Sequence, residues 1–276
     1  GKRISSGAVG ITQGFMGATK RGETTTIGRG GSDLSATIMG VALAAGEIQI
    51  WTDVAGIYTC DPRIVSTAYA QPVVAFEDAS TMAYFGAKVL HPESIGPAVE
   101  AGIPVRVLSS KEPDKKGTTI VTRNPEGNIL AGIAIKRNVI LAKASANQMV
   151  PQCHTLPIIF EALRATNIVP LATSISFDDI LLALEATDKY SELHEEIDRV
   201  SNLKFFPKRA LITLVGQGLR ENSGIAARLF NSLKNINCEM VSYGGAENAI
   251  SIVVEEKDVE RGVKYIHKEF FNSSGK

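Results

Sequence analysis

Gly28-Arg29-Gly30-Gly31-Ser32-Asp33 stands between a β-branched segment, Thr24-Thr25-Thr26-Ile27, and an apolar run from Leu34 to Ala45, and the rest of the chain can be ordered around it. The run behind it is rich in Ala, Leu and Met, with Gly46 placed to stop a helix. A glycine turn that opens a helix gathers unpaired backbone N–H groups and the positive end of the helix dipole at one point, which suits an anion. Arg29 adds a planar cation fit for a carboxylate or phosphate. Ser32 adds a hydroxyl and a candidate N-cap, and Asp33 a carboxylate able to face a metal or an ammonium. The plainer reading is a strand-to-helix turn with solvated charges. Neither the Walker loop nor the Gly-x-Gly-x-x-Gly dinucleotide turn is present here, so the segment by itself specifies only an anion.

The 276 residues are enough for two domains, and 44% of them are apolar, so sizeable cores are expected. Lys plus Arg equals Asp plus Glu at 29 each, which gives no electrostatic case for nucleic acid or an anionic membrane. No apolar run has the length of a membrane span. Cys60, Cys153 and Cys238 are odd in number and scattered, which argues against a disulfide framework or a zinc site and for the cytosol.

Taken in order, Gly1 to Gly10 reads as a helix fragment, and Ile11 to Gly17 as a buried strand ending in a glycine turn. Glu47 to Val54 alternates as a strand does and runs into a polar loop, Thr52 to Arg63. A helix is expected from about Glu77 to Leu90, broken by His91-Pro92, and another from Pro92 to about Ala101. Ile103 to Ser109 is a further strand. Alternating strands and helices argue for a mainly parallel sheet sandwiched by helices. Lys111 to Asn128 is charged and carries Pro and Gly, so a domain boundary is placed near it, between 1–122 and 129–276. Beyond it the chain repeats itself. Leu156 to Asn167 and Ser223 to Asn237 are amphipathic helices. Each precedes two strands (168–176 and 178–185; 238–245 and 249–256) and a trailing helix, about Tyr190 to Leu203 and Asp258 to Phe271. That order, twice, is a pair of ferredoxin-like βαββαβ units.

With these segments in place the chain resembles the aspartate kinases over nearly its whole length. Gly14-Phe15-Met16-Gly17, TTTIGRGGSD (24–33), WTDVAGIYTCDPR (51–63) and FGAKVLHP (85–92) are similar to that family's catalytic signatures, in the family's order, and the doubled units to its tandem ACT pair. Glutamate 5-kinase, acetylglutamate kinase and UMP kinase lack the combination. The resemblance implies an α/β amino-acid-kinase fold followed by two ACT domains. It also implies transfer of the ATP γ-phosphoryl group to the β-carboxylate of L-aspartate, a task of positioning and charge neutralisation. Arg29, Ser32 and Asp33 fall where the family contacts aspartate, and Thr52, Asp53, Tyr58, Arg63 and Lys88 where it holds ATP. Mg2+ is implied between the phosphates, with no protein ligand assigned. The family's Lys-Phe-Gly-Gly strand is absent, and GKRISS (1–6) is similar to a helix that follows it, so further residues ahead of Gly1 are expected. The polar tail Asn272 to Lys276 reads as a terminus or nearly so.

In the family the two ACT units interleave, which implies that about 142–204 is inserted into 129–141 plus 205–271. It also implies a homodimer or higher homo-oligomer through these domains. An amino-acid effector, lysine or threonine, would fall on 147–154 and the facing strand 168–174, with Met149, Gln152, His154, Val169, Pro170, Leu171 and Ser174 as candidates. His154 and Leu171 depart from the small or acidic residues of the lysine-sensitive type. The rival expectation is a non-catalytic ACT sensor with a kinase remnant. A fused homoserine dehydrogenase is disfavoured by the missing dinucleotide turn.

Overall fold

The structure, a computed structural model, describes residues 8–87, 92–124, 130–146, 152–176, 179–197 and 201–272. It divides into two compact units, residues up to 62 with 67–132, and residues 63–66 with 133 onward.

In the first unit β1 (Met16–Ala18) and β2 (Thr24–Thr26) pair antiparallel. The helix α1 (Gly31–Ala42) leads to β3 (Ile48–Thr52), then come β4 (Val73–Ala75), α2 (Phe76–Tyr84), α3 (Pro92–Glu100), β5 (Val105–Ser109) and β6 (Thr118–Val121). These last four strands make one sheet in the order β3-β5-β6-β4. The β3–β5 and β4–β6 pairs are parallel and β5–β6 is antiparallel. Ile48, Ile50, Val105, Val107 and Ile120 are buried at alternate positions, while Gln49 and Trp51 on the other face of β3 are exposed. A side chain at Gly40 of α1 would put its Cβ 2.5 Å from Ile48 Cγ1, so only glycine allows helix and strand to approach this closely. The buried Thr37 hydroxyl donates to the Ser94 carbonyl at 2.6 Å and ties α1 to α3.

The helices α1 and α2 both stop earlier than their composition suggests. In α1 the left-handed residue is Ala44 (φ 50°), not Gly46, and the N–H groups of Ala44 and Ala45 close on Val41 and Gly40. In α2 the same 5→2 and 6→1 pair runs from Gly86 and Ala87 to Ala83 and Met82, so the helix ends at Tyr84 instead of Leu90. Two further expectations are corrected. Ile11 is 94% exposed and the strand around Met16 is short and open, so 11–17 is not a buried strand. Lys111 to Asn128 is not merely a linker: it contains β6, an interior strand with Thr118 and Ile120 buried, which its charged neighbours conceal in the sequence.

The second unit is built on one six-stranded sheet in the order β11-β12-β10-β7-β9-β8. Its elements are β7 (Gly132–Ala146), α4 (Gln152–Thr166), β8 (Pro170–Ile175), β9 (Asp179–Glu185), α5 (Tyr190–Ile197), β10 (Ser201–Val215), α6 (Ile225–Ser232), β11 (Met240–Tyr243), β12 (Ala249–Glu255) and α7 (Val259–Phe270). The twofold βαββαβ order is present. The sheet's two middle strands, β7 and β10, are each 15 residues long. Ala142 and Ala144 of β7 and Leu203 of β10 share a core with Ile159, Leu163, Leu193 and Ile197 of α4 and α5. Further along β10, Ile212 packs on α7, where a Cβ at Gly262 would lie 3.0 Å from its Cδ1, tighter than ordinary contact. The helix α5 ends at Ile197, and Ser201 to Leu203, expected as helix, belong to β10. The helix α6 stops at Ser232, short of Asn237, whereas Asn167 sits left-handed (φ 55°) at the end of α4, where an asparagine is tolerated.

Candidate active site

The glycine turn is held open by its backbone. Gly28 (φ 93°) and Gly30 (φ 72°) take positive dihedrals, Gly31 N–H donates to Gly28 O at 3.0 Å, and Gly30 is the N-cap of α1. Ser32 is therefore not the cap. It lies in the first helical turn and is exposed. Phe15 N–H donates to Ser35 Oγ at 3.0 Å, and Ser35 Oγ donates back to Gly31 O at 2.7 Å, so the Gly14-Phe15 turn hangs on the start of α1. Asp33 is half-buried, and burial pushes its carboxyl above the usual carboxylate range. Arg29 is exposed on the turn. Arg29, Ser32 and Asp33 thus occupy one turn and the helical turn it opens.

Thr52 and Asp53 lie at the carboxyl end of β3, beside the end of β5, where open α/β sheets hold ligands. Thr52 Oγ1 approaches Asp53 Oδ1 at 3.3 Å, and the Thr52 carbonyl accepts from both Ser110 N–H (2.8 Å) and Ser110 Oγ (2.9 Å). Ile57 N–H donates to the buried Thr118 Oγ1 at 2.8 Å, and that hydroxyl donates to Gln71 O at 2.7 Å. Tyr58 follows in an isolated bridge to Ala70. The same end carries a cation that the sequence reading passed over. Lys115 is paired with Glu112 at 2.8 Å, and that pair, with Tyr58 adding a smaller effect, raises its ammonium. No signal in a charged, Pro- and Gly-containing segment marks it out, because the chain folds it back through β6.

Arg63 falls in the second of the two compact units. Lys88 and Met149 lie outside the described residues, as do the side chains of Gln152 and His154. Val169 is exposed, while Pro170, Leu171 and Ser174 are half-buried on or beside β8, an edge strand. The β8–β9 register slips between Pro170 and Ala172, which leaves Leu171 as a bulge. The carboxylate not foreseen here is Asp179, where Lys143 Nζ at 2.7 Å and Ser145 Oγ at 2.7 Å hold its carboxyl below the usual range. Among the described residues no group of three or more His, Cys, Asp or Glu side chains gathers.

Cys60 closes the same loop, 3% exposed, its thiol pushed up to about 12 by burial and by Asp61. At pH 8 about one thiol in ten thousand would be ionised, so Cys60 should resist iodoacetamide in the native protein and react once unfolded. Peptide mapping checks this, and rapid native labelling would contradict the buried loop.

The amino acid kinase family model matches residues 1–109, and an ACT domain model matches 212–270. The chain is 39% identical to aspartokinase 1, chloroplastic, of Arabidopsis thaliana, over 96% of this chain and 49% of that protein. The crystal structure of E. coli aspartokinase III in complex with aspartate and ADP superimposes with a TM-score of 0.83 at 36% identity, over 98% of this chain and 62% of that one. The chain belongs to the aspartokinase family. The E. coli enzyme in complex with lysine and aspartate gives a TM-score of 0.82, over 95% of this chain and 60% of that one. The chain therefore spans about half to three-fifths of the length of these aspartokinases. No helix among the described residues is long and apolar enough to cross a membrane.

Proposed function

We propose that the chain serves an aspartate kinase reaction, ATP plus L-aspartate giving ADP plus 4-phospho-L-aspartate, the first step toward lysine, threonine and methionine. The observation that carries this reading is the match across 98% of the chain to an aspartokinase bound to aspartate and ADP. Arg29 would take the aspartate α-carboxylate bidentately, with Ser32 beside it and Asp33 facing the ammonium. Thr52, Asp53 and Tyr58 would hold the nucleotide at the ends of β3 and β5, with Lys88 on the phosphates. The β-carboxylate oxygen then attacks the γ-phosphorus in line as the bond to the β,γ-bridging oxygen breaks. Mg2+, when carried on the phosphates, would supply charge neutralisation.

The sheet order supports interleaved ACT units, about 142–204 within 129–141 plus 205–271, because β7 and β10 each lie between strands of both repeats. The edge position of β8, with Val169 just ahead of it 67% exposed and its last residue Ile175 50% exposed, supports pairing of ACT domains in a homodimer or larger assembly. Lysine is the effector favoured by the lysine-bound relative, with threonine the rival. A cytosolic or a plastid setting both suit the reaction. A coupled assay of ATP consumption, with and without L-aspartate and with lysine in parallel, tests the reading. Aspartate-dependent turnover supports it, and a folded chain that binds amino acid yet turns nothing over favours an ACT sensor.

Burial of Asp33 gives a pH signature. Its raised carboxyl is neutral at low pH and cannot hold an ammonium, so aspartate should bind more tightly as pH rises through that shifted value. The step in the aspartate KM should vanish in Asp33→Asn, and its survival there would assign it to another group.

A further inference from the structure

We propose that the middle of the six-stranded sheet carries a site for a small zwitterion, a free α-amino acid, bound between Lys208 and Glu256. It is separate from the expected effector segment 147–174 and does not depend on the kinase reading.

A cavity of about 350 Å3 opens where β7 and β10 break stride, lined among others by Arg137, Asn138, Glu185, Pro207, Lys208 and Glu256. That volume lies at the small end of ligand pockets. Two of its lining residues, Asn138 (φ 56°) and Lys208 (φ 58°), are non-glycine residues in the left-handed region in the interior of long strands. Asparagine adopts that region without much cost, but lysine has no local side-chain bond to offset it. Backbone held in an unfavourable region concentrates at ligand clamps.

The charges sort into used and unused. Arg137 is paired with Glu260 at 3.2 Å and Glu185 with Lys136 at 3.0 Å. Asn138 O is occupied by Ala186 N–H at 3.0 Å. Lys208 and Glu256 make no ion pair or side-chain hydrogen bond among the described residues, and they face the same cavity with opposite sign. A carboxylate on the first and an ammonium on the second satisfies both. A simple anion would leave Glu256 repelling it, and a simple cation would meet Lys208.

The test is an amide-resolved NMR titration of the full chain with L-lysine, L-threonine, L-methionine and L-aspartate. At least one should shift the amides of Arg137 to Ile140, Ala186 and Lys208-Arg209, and Lys208→Ala or Glu256→Gln should weaken that binding by about tenfold or more. Lys208→Gly should lose the same binding while raising the melting temperature, because glycine relieves the dihedral. That separates a lost site from a damaged fold. The proposal is overturned if none of the four moves these amides, if shifts are confined to residues 152–176, or if the two charge variants bind as wild type does.

Discussion

Gly117→Ala should destabilise the first unit by about 3–5 kcal/mol, with Gly102→Ala, at the same φ of 69°, costing only about 1–2. Both positions pay the left-handed penalty of a side chain. At Gly102, which ends α3, a Cβ meets nothing within 4 Å. At Gly117 it would fall on the carbonyl oxygen of Val107 in the neighbouring strand, with Leu108 Cδ2 at 3.0 Å. Backbone cannot yield as a flexible side chain can, so the loop would be pushed off β5. The next residue, Thr118, would then lose its grip on Ile57 N–H and Gln71 O, two buried groups left unpaired at about 1–3 kcal/mol each. Urea unfolding followed by the single tryptophan, Trp51, whose register partner on β5 is Leu108, reads this out. Equal midpoints for the two variants would show that the Gly117 approach is not needed.

Arg29→Ala should lower kcat/KM for aspartate by at least about 150-fold, since charge-assisted bonds to a carboxylate contribute about 1.5–3 kcal/mol each and two would be lost. The KM for ATP should change little. Arg29 is exposed and makes no ion pair or side-chain hydrogen bond among the described residues, so the melting temperature should hold. Arg29→Lys should recover only part of the loss, because an ammonium does not reproduce the two parallel donors of a guanidinium. An unchanged aspartate KM in Arg29→Ala would move the α-carboxylate contact elsewhere.

The legible parts of this chain are those whose residues act locally. The turn at Gly28 and Gly30, the strand into Thr52 and the α7 stripe of Val259, Val263, Ile266 and Phe270 follow from backbone freedom and periodicity alone. Misread segments were decided by partners far away in sequence. Thr118 to Val121 is a strand because β5 and β4 flank it, and Ser201 to Leu203 left the helix because β7 offered a ladder. Helix ends were missed where an alanine or a nearer glycine took the left-handed position, a choice set by hydrogen bonds back to the last turn. At the candidate site Arg29, Ser32 and Asp33, proposed to face aspartate, lie within five residues and could be read together. Lys115 comes to the same end of the sheet only through the fold.

The two long middle strands also constrain how the second unit can come apart. A cut made between α5 and β10, or between β9 and α5, would release no piece with a finished sheet, since the ladder at its centre joins the first strand of one repeat to the first strand of the other. Amides of β7 and β10 should therefore exchange with solvent together, in one cooperative opening, whichever edge a bound molecule steadies. A ligand that protects one repeat against proteolysis thereby protects the other.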